Sequence, residues 1–451
     1  MNSIKKFFTE LLQYPSAFIG MMYIIGLVIF SIYVVIALPY DEAISLWRGD
    51  ENTWYKTPRT AQPKWVNWFR EEDLPETFSF NSADQLDTKT EEFSNGTNKI
   101  LISFPFEYNS ELFPQEVSLY FKSNYEAKQP FVNVKLITPD GRTINLNSFS
   151  IGRTHTYRLS QDQKLQRKFF GISPEKGIFV DPTLDNDDPT LLKAVPGTYE
   201  LVVEGVAFEE NSSLDAELIV YGHVYGWAGT DHRRRDISIA LMWGAPVALT
   251  FGLLSALGTT ITTMIIAAVG TWYGGWIDEV IQRITEVNLI LPFLSILIMI
   301  GTFYSKSLWV MLIAVIALSI FGGAIKGFRA VFLQIKEAPY VEAARAYGAS
   351  NWRIIMQYLV PRIVPLLIPQ LVILIPANVF LEASLNIINL GDPVLPTWGK
   401  LIQNGVGNGA LTQGYYYWVL EPAFVLLITG LSFALVGFSM DRIFNPRLRG
   451  V

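Results

Sequence analysis

The sequence predicts an α-helical polytopic membrane protein with six transmembrane helices and a large inserted extracytoplasmic β-sandwich domain. Half of the 451 residues are hydrophobic and only 17% are charged, whereas soluble chains carry about 25% charged residues. The charges are concentrated, so that long uncharged runs are separated by polar stretches. Between the first two of these runs, from about residue 100 to 226, apolar and polar side chains alternate with the period of half-buried strands.

The first span is predicted at Ala17 to Leu38, where 22 residues carry no charge. This length crosses about 30 Å of hydrocarbon. Lys5 and Lys6 precede the run, as in a signal peptide. However, the run is longer than a signal-peptide core, and the residues after it offer no small-x-small cleavage site. We interpret residues 1–40 as a short cytoplasmic lead followed by a retained anchor.

Five further uncharged runs predict the remaining spans. An apolar elbow from Ile237 to Ala245, ending at Pro246, precedes the first of them. The fifth span of the chain contains Pro365, Pro369 and Pro376, so we expect kinks where backbone hydrogen bonds are lost. The five predicted spans are residues 247–270, 287–304, 307–325, 363–381 and 423–440.

Residues 41–228 form the predicted extracytoplasmic domain, which is mainly β. The turn Pro139-Asp140-Gly141 separates two alternating segments and predicts a hairpin. At least six short strands without a helical period indicate a β-sandwich. Strands are predicted at 117–121, 132–136, 143–146, 196–203 and 216–221, among others.

Four tryptophans cluster near the start of this domain, at Trp47, Trp54, Trp65 and Trp68. Tryptophan favours the headgroup level of a bilayer. We interpret the cluster as anchoring at that level or as packing against the domain, with a ligand-stacking surface as the alternative.

The charge distribution predicts the orientation of the chain in the membrane. Residues 41–228 hold 29 acidic and 18 basic residues, a net charge of −11, and the remainder has a net charge of +5. With six spans, both termini and the loop at 326–362 share one side, which receives twelve Lys or Arg against five in the short segments opposite. Positively charged loops stay in the cytoplasm, so both termini are predicted to be cytoplasmic.

The loop at 326–362 has the pattern of a helix, a stop and a second helix. Pro339 suits a first helical turn, and Gly348 is placed for a left-handed stop. Ser350 is positioned to cap a second helix running from Asn351 toward Pro361. A short, rigid, protruding helix on a membrane protein is suited to docking a partner.

This segment resembles the EAA loop of the membrane subunits of ABC importers. That motif is reproduced by Glu342-Ala343-Ala344, by Gly348 and by Pro361, which follows Gly348 by thirteen residues. Tyr358 and Val360 stand where the family usually has Ile and Leu. In the family the loop is a coupling helix that docks on an ATPase subunit. The resemblance therefore implies ATPase-coupling roles for Glu342, Ala343, Ala344, Arg345, Gly348, Arg353 and Pro361.

Three other motifs in the predicted permease core, residues 229–451, resemble the C subunits of dipeptide and oligopeptide importers. Arg234 stands where that pattern has Gly, and Glu286 stands where it has Asp. The residues that carry the likeness are Gly229, Asp231, Arg235 and Asp236; then Gly275, Asp278, Arg283 and Pro292; and finally Glu382, Gly391, Trp398 and Gly399.

The resemblance implies the remaining parts of a transporter. These are a second homologous permease subunit of the B type, two ABC ATPase subunits that bind ATP and Mg, an extracytoplasmic substrate-binding protein and a lipid bilayer. The chain itself is expected to be non-catalytic, without cofactor, metal or nucleic acid, and to lie in the cytoplasmic (inner) membrane of a prokaryote. Peptides are the expected cargo, with nickel chelates and oligosaccharides as alternatives.

Several chemistries are disfavoured by the residues themselves. The chain has no cysteine and three histidines without metal-ligand spacing. Residues 301–307 lack the second glycine of a phosphate-binding loop. Glu382 and Glu421 lie near predicted span ends, where we expect them to reach water. A ligand-sensing membrane receptor is the competing interpretation, but residues 326–362 are too short for a cytoplasmic output domain.

Overall fold

The computed structural model describes residues 14–84, 88–94, 97–169, 171–181, 192–209 and 211–444. Most of the predicted cytoplasmic lead, residues 1–13, lies outside these ranges. The chain divides into two compact units. One comprises the chain up to Arg48 together with Ser238 onward, and the other runs from Gly49 to Ile237.

The unit from Gly49 to Ile237 is built on two antiparallel sheets. The first has the strand order β1-β9-β4-β7 and the second has the order β2-β3-β8-β5-β6. Short helices at Lys64–Phe69, Leu159–Gln161, Gln163–Lys168 and Pro174–Gly177 lie in the connections. The strands are β1 (Phe78–Asn81), β2 (Lys89–Ser94), β3 (Thr97–Tyr108), β4 (Glu116–Asn124), β5 (Phe131–Ile137), β6 (Thr143–Ser150), β7 (Thr154–Arg158), β8 (Gly197–Ala207) and β9 (Ser213–Tyr221).

One apolar core lies between the two sheets, which makes the unit a β-sandwich as predicted. Alternate residues of β4 and β5, such as Leu119 and Val134, point into it and are fully buried. The alternation read from the sequence therefore identified the inward faces. The predicted hairpin is also confirmed, since β5 pairs antiparallel with β6 and Gly141 takes a φ of +80° in the turn.

The other unit consists of helices. Within the residues that the structure describes, four helices are long and apolar enough to cross a membrane, or up to six spans if each of two bent helix pairs counts as one. The helices are α1 (Pro15–Ala37), α2 (Tyr40–Arg48), α3 (Ile237–Tyr273), α4 (Gly275–Ile290), α5 (Phe293–Phe303), α6 (Leu308–Ile320), α7 (Ala324–Lys336), α8 (Pro339–Ala346), α9 (Asn351–Ile354), α10 (Val360–Ile387), α11 (Trp398–Gly407) and α12 (Tyr417–Phe444).

The third and fourth predicted spans are not continuous helices. The chain bends by 80° between α4 and α5, within the predicted span 287–304. Pro292 forces Leu291 out of the helical region, to a ψ of 134°. A bend of 49° separates α6 from α7, inside the predicted span 307–325. The pair Gly322-Gly323 lies at this break, where helix propensity is lowest.

Two of the predicted spans are longer helices in the structure. The apolar elbow at 237–245 is part of α3, which continues through Pro246 as one helix of 37 residues. The fifth span is also longer than 363–381, and α10 includes Pro365, Pro369 and Pro376 within a single helix. Proline removes only one backbone donor, and neighbouring helices in a membrane bundle compensate for that loss.

Small residues permit close contact between the first and last spans. A Cβ at Gly20 in α1 would lie 2.6 Å from the carbonyl oxygen of Ser432 in α12. Nearby, the hydroxyls of Tyr23 and Thr429 are hydrogen-bonded at 3.1 Å. Small residues and interhelical hydrogen bonds are the usual means of association between helices in lipid.

Candidate functional site

Helix α8 begins and ends as the sequence predicts. Pro339 is its first residue, and Ala338 before it is extended. The helix ends in a Schellman motif, in which the amides of Gly348 and Ala349 donate to the carbonyls of Arg345 and Ala344, both at 3.0 Å. Gly348 has a φ of +79° and open space around it, so the left-handed stop is confirmed.

The segment after the stop differs from the prediction. Ser350 caps α9 as predicted, accepting a hydrogen bond from the amide of Arg353 at 3.4 Å. However, Pro361 does not end the second helix. A π-helical turn at Ile355–Leu359 leads directly into α10, and Pro361 lies in the first turn of α10, where its missing amide costs little.

Helix α8 therefore has a buried face and an exposed face. Val341 and Ala344, three residues apart, are buried in a cluster with apolar residues of α3, α7 and α10. Glu342 and Ala343 are exposed, and Tyr347 is 92% exposed. Five of the predicted coupling residues thus lie on or beside one protruding surface; they are Glu342, Ala343, Arg345, Gly348 and Arg353, whereas Ala344 faces the core.

The end of α3 supports α8 and was not identified from the sequence. The Arg345 guanidinium lies 4.8 Å from the centre of the Trp272 ring, close enough for a cation–π interaction. Lys336 Nζ donates to the carbonyl oxygens of Thr271 and Trp272 at 2.9 and 3.1 Å. A cation at a helix C-terminus satisfies unpaired carbonyls and the helix dipole. Since these residues are more than 60 positions apart, no local signal relates them.

An ion pair joins α4 to α7 on the same side of the unit. Arg329 donates through Nε and Nη2 to the Asp278 carboxylate at 2.6–3.0 Å, a bidentate geometry that fixes orientation. Gly275, with a φ of +54°, lies in the tight turn between α3 and α4, which positions Asp278 in the first turn of α4. Arg283, by contrast, forms only an exposed pair with Glu286 at 3.1 Å, which contributes little to stability.

In the other unit, the residues before α3 form a tight buried turn. The Asp231 carboxylate accepts from the amides of Arg233 and Arg235 at 2.8 and 3.0 Å, and from Arg235 Nε at 2.7 Å. The side chains of Asp231 and Arg235 are 0% and 6% exposed. Gly229 has a φ of +75°, and Asp236 pairs with Thr230 across the turn. The four motif residues predicted here are therefore brought together.

Arg234 has a left-handed backbone conformation, which favours glycine, at the position where the motif has glycine. Its φ is +68°, which costs about 1–2 kcal/mol for a residue with a side chain. Two contacts compensate. Arg234 Nη1 donates to the carbonyl oxygen of Thr57 at 2.9 Å, and the guanidinium lies 4.4 Å from the centre of the Tyr221 ring.

Substitution of Arg234 separates the cost of its backbone strain from the contribution of its side-chain contacts. We expect Arg234→Ala to lower the free energy of unfolding of this unit by about 1.5–3 kcal/mol, the contribution of a charged hydrogen bond. Arg234→Gly loses the same contacts but relieves the backbone strain, so it should be about 1 kcal/mol more stable than the alanine variant. Thermal unfolding of the two variants measures this order. If the alanine variant were as stable as the glycine variant, the backbone at position 234 would not be strained.

The last motif forms a compact buried cluster in the helical unit. Glu382 is 3% exposed, so the expectation that it reaches water is wrong. Asn386 Nδ2 donates to Glu382 Oε1 at 2.6 Å, and packing from α11 and the loop before it excludes solvent. Trp398 Nε1 donates to the carbonyl oxygen of Leu241 in α3 at 2.8 Å. The motif therefore ties α10 and α11 to α3.

A side chain at Gly391 would displace the buried Asn386 carboxamide from this cluster. A Cβ at this position would lie 1.8 Å from Asn386 Oδ1. We expect Gly391→Ala to destabilise the helical unit by about 1–3 kcal/mol, the usual range for overpacking, and to lower the yield of folded protein in detergent. Gly407→Ala is the matched control, since its Cβ would meet no atom closer than 3.8 Å. Equal yields and melting temperatures for the two variants would contradict this account.

The histidines lie in the β-sandwich unit and show no catalytic arrangement. Burial lowers the pKa of His155, of His223 and of His232. His223 Nε2 lies 3.0 Å from the carbonyl oxygen of Phe113, and the His155 ring packs on Phe149 at 4.7 Å. Within the described ranges, no three His, Cys, Asp or Glu side chains are grouped to hold a metal ion.

Comparison with known proteins agrees with the motifs. Residues 260–450 match the family of binding-protein-dependent transport system inner membrane components. The dipeptide transport system permease protein DppC of Bacillus subtilis is 30% identical over 226 residues, which cover 49% of this chain and 69% of the relative. The oligopeptide transport system permease protein OppC of the same organism is 30% identical over 225 residues, covering 49% and 72%.

A third relative is named for a different cargo. The peptidoglycan transport system permease protein YejE of Agrobacterium fabrum is 28% identical over 223 residues, covering 49% of this chain and 57% of the relative. The family match over residues 260–450 and the two Bacillus alignments confirm the resemblance that the motifs indicated. The chain belongs to the family of binding-protein-dependent transport system inner membrane components.

Proposed function

We propose that this chain is a transmembrane permease subunit of an ATP-driven importer that moves peptides across the cytoplasmic membrane by alternating access. Its family membership and its relatives named for dipeptide and oligopeptide transport support this role. The proposed partners are a second homologous permease subunit, two ABC ATPase subunits and an extracytoplasmic substrate-binding protein. ATP and Mg would be bound by the ATPase subunits, since the motifs of this chain are not catalytic.

The observation that carries the proposal is the rigid support of an exposed short helix. The outer surface of α8 and α9 presents Glu342, Tyr347 and Trp352, and the two aromatic rings are 92% and 57% exposed. Exposed aromatic side chains of this kind are typical centres of protein interfaces. The inner surface is held by the buried Val341 and Ala344. A partner that displaces α8 would therefore displace the helices packed beneath it.

Three connections would transmit that displacement to the spans. The cation–π contact of Arg345 connects α8 to the end of α3, and the hydrogen bonds of Lys336 connect α7 to the same end. The Asp278–Arg329 ion pair holds α4 to α7. The third connection is covalent, because α9 continues through the π-turn into α10. Packed helices are bistable and not continuously deformable, so a rigid-body displacement of α8 would tilt α3 and α10 together.

The proposed topology places both termini and α8 in the cytoplasm and the β-sandwich outside. The excess of Lys and Arg on the side of the termini and α8, twelve against five in the short segments opposite, supports this arrangement. A ligand-sensing receptor is the alternative function. It lacks support because the cytoplasmic segment around α8 contains only short helices and no separate output domain.

Site-specific crosslinking tests the coupling role, and the absence of cysteine from the chain makes it direct. In membranes that contain the complete transporter, Tyr347→Cys labelled with a photoreactive reagent should capture a nucleotide-hydrolysing subunit. The control is Thr154→Cys, an exposed position on β7 in the other unit. If the label at 347 never captures an ATPase while the complex is active, the proposal is wrong.

The cargo is tested separately. Purified complex with its binding protein should take up short peptides into proteoliposomes in an ATP-dependent manner, and unlabelled peptides should compete. Nickel chelates and oligosaccharides are the alternative cargoes, and uptake of either one without competition by peptides would exclude the peptide assignment.

A further inference from the structure

The β-sandwich unit displays an aromatic patch that does not belong to its core. We define the patch as Trp65, Trp68, Phe69 and Trp227. Trp68 and Phe69 are 83% and 81% exposed, and Trp227 and Trp65 are 55% and 39% exposed. Packing against the domain, one of the explanations considered for the tryptophan cluster, therefore fails for Trp68. By contrast, Trp47 in α2 is only 3% exposed and is therefore buried.

The patch is held in place by polar contacts beneath it. Trp65 Nε1 donates to the carbonyl oxygen of Trp227 at 3.0 Å, and the Trp65 and Phe69 rings meet edge to face at 6.3 Å. The Lys64 amide donates to the carbonyl oxygen of Gly226 at 2.9 Å. Asn67 makes two hydrogen bonds to the backbone of Leu74, each at 3.1 Å. Three of the four rings are thus displayed by the ordered 3₁₀ helix Lys64–Phe69, and Trp227 lies beside it.

An exposed aromatic group of this size marks a contact surface. Its composition favours lipid over another protein. Three of its four members are tryptophan, whose amphipathic ring is enriched at the headgroup level of bilayers. The patch also lies close to the membrane along the chain, since Trp227 is ten residues before the start of α3. Even fully extended, ten residues span at most about 35 Å.

Charge next to the patch restricts the kind of lipid surface. Arg70 is followed by Glu71, Glu72 and Asp73, all exposed. This acidic run would be repelled by an anionic surface. Insertion must therefore depend on the aromatic rings and not on electrostatic attraction to charged lipids.

We propose that the aromatic patch inserts at the headgroup level of the bilayer and anchors the β-sandwich unit to the membrane. The anchor limits the freedom of a domain that two chain segments otherwise tether. This inference goes beyond the transport role and holds whatever the cargo, because it depends only on the exposure, composition and chain position of the patch.

Spin labels on the cysteine-free full chain test the proposal. Trp68→Cys and Phe69→Cys are labelled separately in nanodiscs of zwitterionic lipid, without binding protein. Lys122→Cys and Thr154→Cys, exposed positions on the four-stranded sheet, are the controls. Labels at 68 and 69 should show a several-fold higher ratio of oxygen to water-soluble nickel accessibility than the controls. Adding anionic lipid should not raise this ratio.

Two results would overturn the proposal. In the first, the labels at 68 and 69 are as accessible to the nickel reagent as the controls, which would place the patch in water. In the second, the labels are shielded from both reagents, which would mean that protein covers the patch. All four sites are exposed. A variant whose folding is disturbed by its label would therefore differ from the other three variants and can be recognised by that difference.

Discussion

Replacing Gly348 by valine is expected to uncouple the proposed transporter. Its φ of +79° is open to glycine but strained for other residues by about 1–2 kcal/mol, and more for a β-branched one. Relief of this strain would break the Schellman motif and change the angle between α8 and α9. An energy of 1–2 kcal/mol corresponds to a factor of about 5–30 in a conformational equilibrium. Stimulation of ATP hydrolysis by substrate and binding protein in reconstituted complexes should fall accordingly.

A second glycine provides a matched control for this experiment. A Cβ at Gly327 in α7 would also meet open space, but the φ of this residue is not positive. Gly327→Val should therefore retain stimulation, because valine is tolerated in a helix at least as well as glycine. If the two variants behave alike, the left-handed stop is not what couples α8 to the spans.

Replacing Asp231 by alanine is expected to destabilise the β-sandwich unit more than any other single substitution considered. The variant leaves the Arg235 guanidinium, 6% exposed, without its carboxylate, and breaking a buried ion pair in this way costs about 3–5 kcal/mol. The backbone amides of Arg233 and Arg235 lose their acceptor as well. For a unit of this size the midpoint of thermal unfolding should fall by about 6–20 °C.

An exposed ion pair in the same unit is the control for Asp231. Glu111 pairs with Lys193, and the two side chains are 49% and 59% exposed. Glu111→Ala should change stability by less than about 1 kcal/mol. The measurement follows protease resistance of the β-sandwich with temperature in the full chain. A midpoint for Asp231→Ala within error of that for Glu111→Ala would show that the buried pair is not a major stabilising contact.

The sequence by itself determined the features that depend on neighbours within a few residues. The start of α8 at Pro339, its stop at Gly348 and the cap at Ser350 were all predicted and confirmed. The alternation that identified the inward faces of β4 and β5 is equally local. These features follow from backbone preferences and side-chain periodicity, which act whatever the rest of the chain does.

Family membership was also accessible from the sequence, since motifs are runs of residues. The order of the four motifs was sufficient to identify an importer membrane subunit, and the comparisons confirm it. What the motif residues do was less accessible. Gly391 was identified as a motif residue, but only the structure shows that the Asn386 side chain fills the space where its Cβ would be.

Tertiary structure decided the features that depend on residues far apart in the chain. Glu382 is buried because Asn386 and the segment leading into α11 pack around it, which its position near a span end did not predict. The support of α8 by Trp272 and Lys336 brings together residues on three different helices. Arg234 keeps a glycine-like conformation because Thr57 and Tyr221 hold its side chain. Burial, ion pairing and compensated strain are properties of an assembled neighbourhood, and no local pattern encodes them.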